Sequence, residues 1–191
     1  NFKPETVLAY EAGYRVQPSR KVTFDVATFY NIYDRLITLE PGIPYVEADP
    51  QPVHGVLPFI FDNLLRGKSY GAEAAVNINL TSAWRLTGSY SFLRMKLSQA
   101  AVSQDTFSKD LLAGTSPQHQ FQLHSYLMLP RGFELDASLY GVSRLTYTKV
   151  PAYARLDIRF GRRLGEKFEL SAGGQNLLDG RHKEYDDVNE G

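Results

Sequence analysis

The sequence predicts an all-β chain, an antiparallel up-and-down meander of about eight strands, and two observations carry that expectation. Eight segments alternate with period 2 and keep one face almost free of charge, the pattern of a sheet whose two faces meet different surroundings. The links between them alternate as well, short turn then longer loop, as in a meander whose two ends differ.

The first segment sets Leu8, Tyr10, Ala12, Tyr14 and Val16 against Glu11, Gly13 and Arg15, and the second sets Phe24, Val26, Thr28, Tyr30 and Ile32 against Thr23, Asp25, Ala27 and Asn31. The third places Ala72, Ala74, Val76 and Ile78 opposite Glu73 and Asn77. In the fourth, Trp84, Leu86, Gly88, Tyr90 and Phe92 oppose Arg85, Thr87, Ser89 and Ser91. Phe121, Leu123 and Leu127 oppose Gln120, Gln122 and His124 in the fifth; Phe133, Leu135 and Leu139 oppose Glu134, Asp136 and Ser138 in the sixth. The last two set Leu156, Ile158 and Phe160 against Arg155, Asp157 and Arg159, then Phe168, Leu170 and Ala172 against Glu169 and Ser171. Every charge in these segments lies on one side.

Turn-forming residues fill the short links at 17–21, 81–83, 130–132 and 162–167, whereas residues 34–68, 95–117, 144–150 and the tail from Asp179 are expected to be longer loops. Residues 103–112 read as a short helix stopped by Gly114, with Pro117 opening the next strand.

Alternation suits a soluble sandwich or lipocalin-like barrel as well as a membrane barrel, because a half-covered strand looks alike in either solvent. The segments run to about 9–13 residues, past the usual ~5–6 of soluble strands and near the 9–11 of a tilted membrane strand. Aromatics such as Tyr30, Trp84, Phe92, Phe121, Phe133, Phe160 and Phe168 recur towards segment ends on the uncharged face, as interfacial girdles do. No apolar run approaches the ~20 residues of a membrane helix. Twenty-one basic and 21 acidic residues leave no net charge for a nucleic-acid partner. The absence of cysteine excludes disulfides and thiolate metal sites.

Two motifs then give a family. Gly174-Gln175-Asn176-Leu177-Leu178-Asp179, following the alternating residues 168–173, resembles the G-x-N-L-x-D at the next-to-last strand of TonB-dependent outer-membrane receptors. Asn1-Phe2-Lys3-Pro4-Glu5, followed by Tyr10-Glu11-Ala12-Gly13, is similar to the N-L-K-P-E … Y-E-x-G that opens a barrel strand in the same family. The resemblance covers the whole chain, residues 1–191, as the C-terminal part of a large transmembrane β-barrel of about 22 strands.

It implies that a plug domain, a TonB box, roughly thirteen earlier strands and a final strand ending in an aromatic residue lie outside this sequence. It also implies residence in the outer membrane of a Gram-negative bacterium, with short turns facing the periplasm. The implied role is uptake of a scarce ligand such as a ferric siderophore or cobalamin, with TonB engaged through parts absent here. A passive porin-like barrel and a soluble ligand-binding barrel stand as alternatives. Eight strands without neighbours are expected to close with the first beside the last, or to self-associate through their edges.

No catalytic constellation, and no cofactor, is expected. His54, His119, His124 and His182 lack the helical i, i+4 spacing of a zinc protease. His182, Glu184, Asp186 and Asp187 read as a solvated loop rather than a metal cluster, and Asp157 reads as one rung of a charge ladder with Arg155 and Arg159. The segment most suited to ligand contact is 34–68, long, rich in proline and carrying Tyr45, His54 and Arg66 as candidate ligand-binding residues.

Overall fold

In a computed structural model, described over residues 3–165 and 167–178, eight antiparallel strands form one sheet. The strands are β1 (Thr6–Ser19), β2 (Val22–Pro41), β5 (Phe59–Asn79), β6 (Trp84–Gln99), β7 (His119–Leu129), β8 (Phe133–Val142), β9 (Tyr153–Leu164) and β10 (Phe168–Gly174), each paired with the next. Two short strands, β3 (Tyr45–Glu47) and β4 (His54–Val56), make a separate hairpin between β2 and β5, and one helix, α1 (Ser108–Gly114), lies between β6 and β7.

The meander order follows the alternation, and the two faces fall as the charges predict. Three hollows of about 400–480 Å³ open on the sheet, and their charged lining side chains, Asp25, Glu73, Glu11, Asp136, Asp157 and Arg159, all belong to the polar face. Most of the large apolar side chains left exposed along the strands, among them Tyr10, Phe24, Trp84, Phe121, Phe160 and Leu170, belong to the other. Little of the chain is buried: of its hydrophobic side chains only Leu65 and Val150 are, among the described residues. A sheet this thin is stable only if something apolar covers one face.

The strands are staggered as a barrel wall requires. One hydrogen-bonded row runs from Val22 through Ile78, Leu86, Ser125 and Ala137 to Ile158. Val22 begins its strand at a short turn, but β9 continues six residues past Ile158, to Leu164, before reaching the short turn there. With ~3.3 Å per residue and ~4.8 Å between strands, six residues over five strand steps correspond to a tilt of roughly 40°, inside the ~35–45° of closed barrels.

Four expectations need correction. The link expected at 34–68 is mostly strand: β2 continues to Pro41 and β5 starts at Phe59, so only 42–58 connects them, partly as the β3–β4 hairpin. The alternation there was hidden by a bulge. The register shifts on both sides of Leu36, and Arg35 takes φ of 58°, so residues beyond it change phase relative to those before.

The link expected at 95–117 is likewise shortened by β6, which runs to Gln99, and the helix starts at Ser108 rather than 103. Asp105 is the reason, since its Oδ1 accepts the N–H of Phe107 and of Ser108, both 2.9 Å, and so satisfies the first turn from there. Third, of the two outcomes expected for the free edges, closure is not shown: β1 and β10 sit at opposite edges of the sheet and do not pair within the chain. Last, five cations, Arg66, Lys68, Arg94, Lys96 and Arg162, fall on the apolar face, but outside the charge-free stretches. The motif residues after Leu178, and the His182 cluster, lie outside the described residues.

Candidate functional site

The polar face carries a connected set of charges near the short-turn end. Arg159 bonds Asp136 at 3.1 Å, approaches Glu134 at 3.5 Å and pairs with Glu169. Arg163 meets the other oxygen of the buried Glu134 at 3.0 Å. These residues sit on β8, β9 and β10 with side chains on one face, so the pairing follows from strand register alone. Asp157, expected to bridge both neighbours, pairs with Arg155 at 2.8 Å and accepts the N–H of Asn176, while Arg159 turns to the adjacent strands. On β1 and β2, Arg15 pairs with Asp25. Glu11 and Glu73 stand on the same face without an ion pair among the described residues, beside the hollows.

At the opposite end, the long links are tied together. The β2–β5 ladder stands well clear of the other strands, because β2 has 20 residues and β5 has 21. At ~3.3 Å per residue and the tilt above, β2 spans about 50 Å of height, roughly twice the ~25 Å apolar band of a membrane barrel.

The segment 100–107 clasps this ladder. Glu40 accepts the Ser103 hydroxyl at 2.7 Å and the Gln104 N–H at 2.6 Å; Asp105 Oδ2 accepts the Leu39 N–H at 2.8 Å; the Ala100 N–H reaches the Leu64 carbonyl. Phe107 packs edge-on against Phe59, ring centres 6.4 Å apart. Asp105 is 5% exposed. Its burial pushes the carboxyl up, but the Ser108 hydroxyl and the N–H groups of Ser108, Leu39 and Phe107 outweigh that and hold it below the usual carboxylate range. The third link joins through Tyr147, whose N–H donates to the Gly114 carbonyl at 3.1 Å. A Cβ on Gly114 would lie 2.7 Å from Tyr147 Cβ, so only glycine allows this approach.

The predicted contact residues do not form one cluster. Tyr45 and His54 are both in the β3–β4 hairpin at the tip, one on each strand, and His54 lies 3.9 Å from Glu47. Arg66 pairs with Ser98 low on β5 and, by alternation, points to the apolar face, opposite to Leu65 and Gly67. The ladder residues between Arg66 and Phe59 separate it from the tip by roughly 20 Å at ~3.3 Å per residue. Sequence reasoning missed a second feature of this end, a hollow of about 260 Å³ in the β8–β9 link, lined by Arg144, Leu145, Thr146, Lys149, Val150 and Pro151. Its signal was two cations without an acid in seven residues. No group of three or more His, Asp or Glu able to hold a metal occurs among the described residues.

A tilted antiparallel meander with one charged, hollowed face and one apolar, aromatic-rimmed face is a section of the wall of a transmembrane-type β-barrel. Its sequence specifies which: residues 1–177 match the family described as TonB dependent receptor-like, beta-barrel, and the chain belongs to that family. Among solved structures, it resembles "Copper transporter OprC" with a TM-score of 0.64 at 13% identity, over 97% of this chain and 27% of that one. It also resembles the alcaligin outer membrane receptor FauA from Bordetella pertussis, with a TM-score of 0.60 at 17% identity, over 92% of this chain and 28% of that one. The chain thus spans little more than a quarter of the length of either, and at these identities the likeness is one of fold. No curated protein sequence matches it.

Proposed function

We propose that this chain is the late-strand part of an outer-membrane receptor that takes up a scarce small ligand, a metal chelate, by TonB-coupled transport. The observation that carries this reading is membership of the TonB-dependent receptor barrel family over residues 1–177. The titles of the two similar structures, a copper transporter and an alcaligin receptor, agree with a metal or its chelate as cargo. In this reading the polar face lines the barrel, where matched charges leave water and a plug domain to fill the space. The clasped outer links form part of the mouth. Tyr45 and His54, at the tip, make first contact with ligand, and the hollow between Arg144 and Lys149 suits the negative charge of a chelate. Arg66, on the apolar face, lies outside this ligand path.

Full-length protein expressed in cells lacking their own metal receptors should accumulate radioactive iron or copper chelates, and a protonophore should stop it. Deleting residues 42–58 should leave the barrel folded and reduce that uptake. Accumulation that ignores the protonophore would instead assign a passive pore.

A further inference from the structure

On the apolar face of β5 and β6, just short of the long links, two hydrogen-bonded rows change character. The row Tyr10, Tyr30, Tyr70 ends in Arg94, and the next row outward, Leu8 and Ile32, ends in Lys68 opposite Lys96. Arg66, opposite Ser98, follows one step further on the same face. Arg66, Lys68, Arg94 and Lys96 are all exposed. None has a carboxylate within 4 Å among the described residues, and Asp34, the acid nearest in register, is 3.5 Å from Arg35.

Like charges directly opposite on a sheet face repel, so Lys68 against Lys96 is a cost unless an anion lies over the pair. The Lys68 ammonium sits 5.7 Å from the centre of the Tyr30 ring, which eases one charge of four. At the short-turn end of this face, by contrast, Arg162 lies 4.7 Å over the Phe133 ring.

The position selects the anion. Immediately inward lies an aromatic belt, in which the Tyr90 hydroxyl bonds His119 Nδ1 at 2.7 Å and Phe92 stands 5.2 Å from the His119 ring. Such a belt marks the headgroup level of a bilayer, and the cations begin one same-face step beyond it, about 7 Å along the strand. That is the phosphate layer. The patch also faces away from the polar hollows, where a soluble ligand would pass. We infer that Arg66, Lys68, Arg94 and Lys96 form a binding patch for the phosphate groups of lipids in the surrounding outer leaflet. The inference rests on the barrel reading above, which places this face in lipid.

Full-length protein in vesicles of phosphatidylcholine with a small fraction of phosphatidic acid, extracted and examined by native mass spectrometry, should retain phosphatidic acid. K68Q/K96Q should lower that retention about twenty-five-fold, since each basic side chain near an anionic leaflet contributes about fivefold. K109Q/R131Q, with the same change of charge elsewhere, should retain as much as wild type. Folding is read separately from resistance to detergent denaturation without heating. Equal retention by folded wild type and K68Q/K96Q would overturn the patch. Displacement of the lipid by an equal concentration of inorganic phosphate would do the same, by assigning the cations to a soluble anion. Folded protein that enters no vesicle would remove the barrel reading itself, and the patch with it.

Discussion

Val76 and Asn77 are neighbours in β5, yet the account assigns them to lipid and to water. The alternation around them was readable without coordinates because successive strand side chains point to opposite faces, and the polar hollows lie on the side of Glu73 and Ala75. Arg at Val76 or Leu86 should therefore destabilise the inserted full-length protein by about 2–4 kcal/mol near the midplane. Arg at Asn77 or Thr87 should be tolerated. Urea titration of the protein in vesicles measures the difference, and equal costs on the two faces would count against the assignment. Asp105 was not legible in this way. Nothing in Ser103-Gln104-Asp105 indicates that its carboxylate will hold the N–H of Leu39, 66 residues away, because that partner is supplied by tertiary folding. Tyr45 and His54 were named from their residue types, and the structure adds that they share a hairpin while Arg66 does not.

At the level of elements, the β2–β5 ladder shows where sequence reading stops. Residues 22–32 alternate cleanly, but the bulge at Arg35 shifts the phase, and the prolines at 41, 44 and 58 suggest a loop where a ladder continues to Pro41. The clasp from 100–107 then gives this ladder its partner. Because the Asp105 carboxyl is held below its ordinary range, the clasp contributes fully above about pH 3.9, the value of a free Asp, and is lost as pH falls through the lowered one. Hydrogen exchange at residues 36–40 and 100–110 should accordingly rise only below about pH 3.9, while β7 to β9 stay protected. D105N should raise it at neutral pH and leave only the acid dependence that Glu40 supplies through Ser103 and Gln104. Unaltered protection in D105N would mean that Glu40 alone fastens the link. Substituting Gly114 by Ala should loosen the Tyr147 contact by overpacking, at a cost of about 1–3 kcal/mol, seen as faster proteolysis of residues 143–152.

The whole chain is a staggered wall with two free edges. Strand order was legible from turn lengths; the stagger was not, since it is set by cross-strand register and no single segment encodes it. Of the two outcomes expected from the cost of unpaired backbone in lipid, closure on itself or association through the edges, the single chain does not show the first, since β1 and β10 lie apart. In the proposed full-length barrel each edge would meet another strand, so cysteines at Ala12 and Ala172 should not crosslink within one chain. A disulfide between them would indicate a small closed barrel. The central claim is that the apolar face of this wall meets lipid and the charged face meets water. Nitroxide labels placed singly from Gly71 to Asn79 in the full-length protein in vesicles test it directly. The account predicts that Ala72, Ala74, Val76 and Ile78 are accessible to oxygen, and that Gly71, Glu73, Ala75 and Asn77 are accessible to a water-soluble nickel chelate. The inverse pattern, or no alternation, would contradict it.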